Sequence, residues 1–342
     1  MPNFDPDAAA RPGSGIFGLP HDATNADLVL VPVPFDATTS YGGGACEGPD
    51  AIRVASAQVD LFDLQTGHPY RRGIHMLPTP QALRTLSREM RALAEPMIER
   101  GGADPQDPAE RRLLDRIDEA GEQVNAYVHN AVTDLLRAGK LPGVVGGDHS
   151  TPFGAIQALA EAHPGLGILH VDAHADLRIA YEGFQWSHAS IMDNVLRRIP
   201  QVARLVQVGI RDFGAAELAA IHAHPERITT HFDIDWQRRL ASGDRYLDLC
   251  RLAVEGLPEK VYISFDIDGL DPSLCPGTGT PVPGGPNFAQ ACLLLETLVE
   301  SGRKIVGFDL NEVAPQDGDG EWNANVGARL LYKLCGFALL SQ

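Results

Sequence analysis

No Cys-x-x-Cys pair occurs in the 342 residues, and the five cysteines (Cys46, Cys250, Cys275, Cys292 and Cys335) stand far apart. That argues against a structural zinc site, and an odd, scattered set is not a disulfide framework, so a reducing compartment is expected. Positive charge is scarce as well: 28 Lys and Arg stand against 45 Asp and Glu, a net charge of -17. Such a balance disfavours nucleic acid and anionic membranes as partners and suits a small cationic substrate. No apolar run reaches the length of a bilayer span, and the opening "MPNFDPDAAARPGSG" has no apolar core of signal-peptide length. The cytoplasm is therefore the expected location. Repeats and low-complexity blocks are absent too. What remains is an ordinary globular composition, 44% hydrophobic and 21% charged, long enough for one large α/β domain or two smaller ones.

Residues 1–26 are rich in Pro, Gly and Asp and read as an extended arm, with 27–342 as a single domain. Short β-branched runs predict strands over 28–34, 143–147, 166–172, 205–210, 228–234, 261–267 and 304–310. Most are apolar throughout rather than alternating, the pattern of parallel strands covered on both faces. Helix-compatible stretches lie between them, notably 81–100 and 109–139, separated by the breaker-rich "GGADPQDP". The fold class this predicts is a three-layer α/β/α domain with a mainly parallel central sheet.

Polar clusters fall directly after four of these strands: "GGDHS" (146–150), "DAHAD" (172–176), "DIDGLDP" (266–272) and "NEVAP" (311–315). Ligands of open parallel sheets bind at the carboxyl ends of strands, so all four clusters are expected on one edge. Each alone has a bland explanation, such as a capped turn or a satisfied histidine. Together they bring His149, Asp172, His174, Asp176, Asp266 and Asp268 to one place: four carboxylates and two imidazoles, which repel or desolvate one another unless a cation lies between them. Alternation sends Asp172, His174 and Asp176 to one side if the segment stays extended, and Asp266 and Asp268 likewise. An oxygen-rich set with some imidazole suits Mn²⁺, with nickel, cobalt and zinc open. Four carboxylates exceed the need of one ion; two ions about 3.5–4 Å apart, bridged by carboxylates and a water, use them all.

The ordered set "GGDHS", "DAHADLR", "SFDIDGLDPS", "PGTGTPVPGG" and "NEVAP" resembles the ureohydrolase family of arginases, agmatinases and their guanidine-hydrolysing relatives, from about Val31 to the carboxyl terminus. The resemblance implies an arginase-like fold, a single catalytic domain and two divalent ions, Mn²⁺ or Ni²⁺, cleaving a guanidino group to urea and an amine. It places one ion on His149, Asp172, Asp176 and Asp266 and the other on His174, Asp172, Asp266 and Asp268. His188, in "SHAS", matches the proton-shuttling histidine, and Glu312, in "NEVAP", the carboxylate that holds the guanidinium; with Asp176 these form the implied catalytic set. A carboxylate can fork onto a guanidinium bidentately, and a partly exposed imidazole titrates in the range a proton shuttle needs. Family likeness further implies a homo-oligomer, trimer or hexamer, with a related partner subunit also open.

The stretch "AYEGFQWSHASIM" (180–192) departs from arginases and is similar to guanidine and biguanide hydrolases, with Tyr181 and Trp186 as candidate substrate contacts and core packing as their alternative. Val282 stands where agmatinases usually carry Glu. The expected substrate is accordingly a small guanidine, alkylguanidine or biguanide, with agmatine or a guanidino acid as the alternative. Two other classes compete: a non-catalytic subunit, against which the full ligand set argues, and a dinuclear phosphoesterase, whose "GNHD"-like segment is absent.

Overall fold

The computed structural model describes residues 4–11, 13–316 and 318–342. Its eight described strands are β1 (Leu28–Val33), β2 (Ile74–Met76), β3 (Leu141–Gly146), β4 (Leu166–Val171), β5 (Val202–Ile210), β6 (Ile228–Phe232), β7 (Lys260–Asp266) and β8 (Lys304–Asn311). They form one sheet in the order β2-β1-β3-β8-β7-β4-β5-β6, and every pairing is parallel. Strands β1, β4 and the inner parts of β7 and β8 are buried along their length, as their unbroken apolar runs require. Seven strands match the sequence expectation within a few residues. The three-residue β2 is too short to leave a pattern.

Helices cover both faces; in chain order they are α1 (Gly48–Ala55), α2 (Gln81–Ile98), α3 (Pro108–Arg137), α4 (Phe153–Ala162), α5 (Ile191–Arg198), α6 (Ala215–Ala223), α7 (Asp233–Ala241), α8 (Tyr246–Glu255), α9 (Phe288–Glu300) and α10 (Trp322–Leu340). The core divides accordingly. Residues of α1, α8, α9 and α10 pack in one apolar cluster, and those of α2, α3, α4 and α5 in a second across the sheet. Helix α3 starts where Asp107 accepts a hydrogen bond from the Ala109 amide (2.8 Å) and Pro108 occupies the first turn.

The arm is only partly extended. Ile16, Phe17 and Leu19 are buried in the first cluster, and Phe17 meets Tyr332 of α10 edge-on at 4.8 Å. Three apolar side chains in four residues have more to gain from that groove than from water. Residues 1–3 and 12 of the arm lie outside the described residues.

Strand order places the site. The neighbours β3, β8, β7 and β4 occupy the middle of the sheet, and "GGDHS", "NEVAP", "DIDGLDP" and "DAHAD" leave those four strands in that spatial order. At about 4.8 Å between strands, the four ends lie within roughly 15 Å. The two glycines of "GGDHS" permit the close approach. A Cβ on Gly146 would sit 1.8 Å from Asn311 Oδ1, and one on Gly147 would sit 1.8 Å from the Phe35 carbonyl oxygen. Gly147→Ala should therefore cost about 1–3 kcal/mol of stability, read as a drop of several degrees in melting temperature. An unchanged melting temperature would show that the Phe35 backbone yields freely.

Candidate metal centre

His149, on the turn after β3, is buried with its two ring nitrogens in opposite surroundings. Nε2 lies 2.9 Å from Ser264 Oγ, and that hydroxyl donates to Asp309 Oδ1 at 3.2 Å. Ser264 therefore accepts from Nε2–H, which leaves Nδ1 facing carboxylate oxygens of Asp172 (3.0 Å), Asp266 (3.2 Å) and Asp176 (3.3 Å). A second knot lies beside it: His174 Nδ1 is 3.1 Å from Asp268 Oδ2 and 3.4 Å from Asp172 Oδ1. Asp172 thus presents Oδ2 to the first group and Oδ1 to the second. The ligand-capable atoms of His149, His170, Asp172 and Asp176 lie within 4.8 Å of one another, as do those of Asp172, His174 and Asp268.

The electrostatics describe a nest short of positive charge. Desolvation, then neighbouring carboxylates, raise Asp266 well above the ordinary carboxylate range, and Asp176 is pushed up to about 7 for the same reasons. Asp268 is raised as well, whereas Asp172, held by His170, His149 and His174, stays low. His174 is pushed up to about 12, its burial outweighed by Asp268 and Asp172. No Lys or Arg makes an ion pair with these four aspartates among the described residues; histidines alone do so. Hard oxygen donors with imidazole, converging with no Lys or Arg paired to them among the described residues, fit divalent ions.

The six residues expected at the centre are brought together, but "DAHAD" does not stay extended. Asp176 adopts φ 54°, and its carbonyl accepts from the amides of Met192 (3.0 Å) and Asp193 (3.2 Å) at the start of α5. This left-handed turn, sparsely populated by non-glycine residues, aims the Asp176 carboxylate back at His149. Glu312 is likewise left-handed, at φ 65°. Its Oε1 accepts from the His149 amide (2.9 Å), while Oε2 is buried with no partner among the described residues. A Cβ on Gly279 would lie 3.2 Å from that free oxygen, so the "PGTGTP" loop forms a wall beside it. Burial and the charges of Asp266 and Asp148 push the Glu312 carboxyl well up.

His188 sits half-exposed, with Nε2 3.4 Å from Ser40 Oγ and its ring edge-on to Tyr181 at 6.2 Å. Burial, then His174 and His149, push its imidazole down to about 3. Tyr181 lines the same rim. Trp186 does not: it is buried against Phe153 (4.8 Å between ring centroids), Arg198 and the Gly121 face of α3. Its large apolar surface belongs to the core, as does that of Phe184.

Two residues of the site escaped the sequence reading. His170, on β4, is buried; Gln207 Nε2 donates to its Nδ1 (3.0 Å), so its Nε2–H donates to Asp172 Oδ2 (2.8 Å). That tautomer makes it a support of Asp172 rather than a ligand. The alternation that linked Asp172 to His174 also reaches back to His170, and was the available signal. Arg211, at the end of β5, donates to the carbonyls of Gly209, Asp268, Gly269, Leu270 and Val282, tying the second aspartate pair to the loop around Val282. Only its tertiary setting reveals this.

A parallel sheet with paired carboxylate–histidine knots across its middle strands is an α/β scaffold carrying donors suited to divalent metal. The arginase family model matches residues 26–336, and the chain belongs to that family. It is 33% identical over 313 residues to the N(1)-aminopropylagmatine ureohydrolase of Thermus thermophilus, covering 91% of this chain and 90% of the relative. It is 28% identical over 336 residues to the guanidinobutyrase of Pseudomonas aeruginosa, covering 92% and 89%. Among solved structures, the agmatine ureohydrolase of Thermoplasma volcanium superposes with a TM-score of 0.71 at 25% identity, over 93% of this chain and 92% of that one. The protein is a ureohydrolase-family hydrolase acting on the linear amidine of a guanidino compound.

Proposed function

We propose that residues 27–342 form one catalytic unit that hydrolyses a tail-bearing guanidino compound to urea and an amine, using two divalent ions. The observation that carries this reading is the two-sided placement of the Asp172 carboxylate, one oxygen toward His149 and the other toward His174. His149, Asp172, Asp176 and Asp266 would hold one ion, and His174, Asp172, Asp266 and Asp268 the other. The oxygen-rich donor set favours Mn²⁺, with Ni²⁺ the alternative. When bound, the ions supply the Lewis acidity that makes a water nucleophilic at neutral pH. The chain supplies the rest. Glu312 offers its unpartnered Oε2 to the guanidinium and so fixes the carbon undergoing attack over the carboxylate nest. His188, a partly buried imidazole beside the nest, would take a proton from water and pass it to the departing amine.

Relatives named for aminopropylagmatine, agmatine and guanidinobutyrate support a substrate with a tail, rather than the bare guanidine or biguanide that Val282 suggested. A cytoplasmic setting is part of the proposal; no helix among the described residues is long and apolar enough to cross a membrane. Self-association is part of the proposal, supported by the exposed Phe62 and Leu64 (56% and 92%).

Urea release from agmatine, ω-guanidino acids, arginine, guanidine and biguanides, on enzyme loaded separately with Mn²⁺ and Ni²⁺, tests the reading. Urea from at least one tail-bearing compound supports it; phosphate release from phosphoesters without urea release contradicts it. The proton-carrying role has its own test. His188→Asn should lower turnover by about 10²–10⁴-fold with metal content unchanged. Loss of the ions in that variant would make His188 a structural support of the centre instead.

A further inference from the structure

Two contacts out from His188 lies a cation that the chemistry above does not use. Arg178 follows Asp176 by two residues and is anchored by its amide, which donates to the Ala189 carbonyl at 3.1 Å. Its guanidinium lies 4.7 Å over the ring of Tyr181, and that ring stands edge-on to His188 at 6.2 Å. The three side chains form a line of contacts, His188 to Tyr181 to Arg178. Its outer end is open: the Arg178 side chain is 41% exposed.

The guanidinium is held at Nε and leaves its terminal nitrogens to solvent. Its one polar contact among the described residues runs from Nε to Glu217 Oε2 at 3.5 Å. The Glu217 carboxylate is already engaged, accepting from the amides of Leu177 (3.0 Å) and Gly214 (2.8 Å) at the start of α6. Both terminal nitrogens of Arg178 therefore remain free donors in a fixed fork, the geometry that takes a carboxylate bidentately. Asp212, exposed and bridged through its backbone to His174, is the competing rim charge, and it would suit an ammonium tail.

Resting on the guanidino-hydrolase reading, we propose that Arg178, propped on Tyr181, is the specificity-determining residue of the tail subsite and selects ω-guanidino acids. The pocket is negative at Glu312 and the aspartate nest and positive at Arg178, a polarity that matches a molecule with a guanidinium at one end and a carboxylate at the other. A dication such as agmatine meets a like charge where its amine would rest.

The test compares kcat/KM for guanidinoacetate, 3-guanidinopropionate, 4-guanidinobutyrate and agmatine, each normalised to tail-less guanidine, in the Mn²⁺-loaded wild-type enzyme and in Arg178→Gln, Arg178→Lys and Arg178→Glu. Wild type should favour its best guanidino acid over agmatine by at least about tenfold. Arg178→Gln should erode that ratio by about 10–100-fold, mainly through KM. Arg178→Lys should keep part of it, and Arg178→Glu should invert it. A ratio that moves in none of the variants, or a wild type that prefers agmatine to every acid, overturns the proposal; the latter result assigns the tail to Asp212. Absence of urea from all the compounds in wild type would instead remove the underlying hydrolase reading, and the inference with it.

Discussion

Asp172→Asn protein, loaded with Mn²⁺ and desalted, should retain well under one ion per chain and show no measurable urea release. The expectation follows from the two-sided use of this carboxylate, whose Oδ2 faces His149 while Oδ1 faces His174. An amide in its place offers one neutral oxygen and turns an N–H group toward the other ion position. Removing a partner outside the ligand set commonly costs about 10–100-fold in metal affinity, and loss of a shared ligand should exceed that at both positions. His149→Asn is the comparison: His149 meets Asp172, Asp176 and Asp266 but not Asp268 or His174, so that variant should chiefly empty one position. Mass spectrometry of the desalted proteins reads both. A full complement in Asp172→Asn would refute the bridging assignment.

Glu312→Gln should leave the ions in place and lower kcat/KM for every guanidino substrate together. The side chain keeps its shape, and its retained oxygen can still accept from the His149 amide, so folding of the turn is preserved. What disappears is the buried negative charge opposite the guanidinium. Unpairing one member of a buried ion pair costs about 3–5 kcal/mol, or about two to nearly four orders of magnitude in kcat/KM. A loss confined to one tail class would move Glu312 from the guanidinium end to the tail end of the pocket. A loss of metal would make it a support of the centre.

Much of this architecture was legible because parallel strands leave unbroken apolar runs and because acids after such runs are conspicuous. The six proposed ligands could be named from four short segments. Their convergence could not be derived from spacing alone, since it depends on β7 and β8 inserting between β3 and β4, a feature of strand order. Local pattern misled where tertiary partners decide conformation. Asp176 leaves the extended path because the start of α5 captures its carbonyl, and Trp186 turns into the core because Gly121 opens a slot on α3. Arg211 carries no local signature, and Arg178, though it closes "DAHADLR", gives no sign in sequence of the groups it meets. Their roles depend on which carbonyls, rings and carboxylates the fold brings alongside.

The most direct measurement is anomalous diffraction from crystals of the Mn²⁺-loaded protein, collected at the manganese edge. Two peaks about 3.5–4 Å apart are expected, one beside His149 and Asp176 and the other beside His174 and Asp268, with Asp172 between them. A single peak, or peaks elsewhere on the molecule, would contradict the binuclear centre on which the proposed chemistry rests.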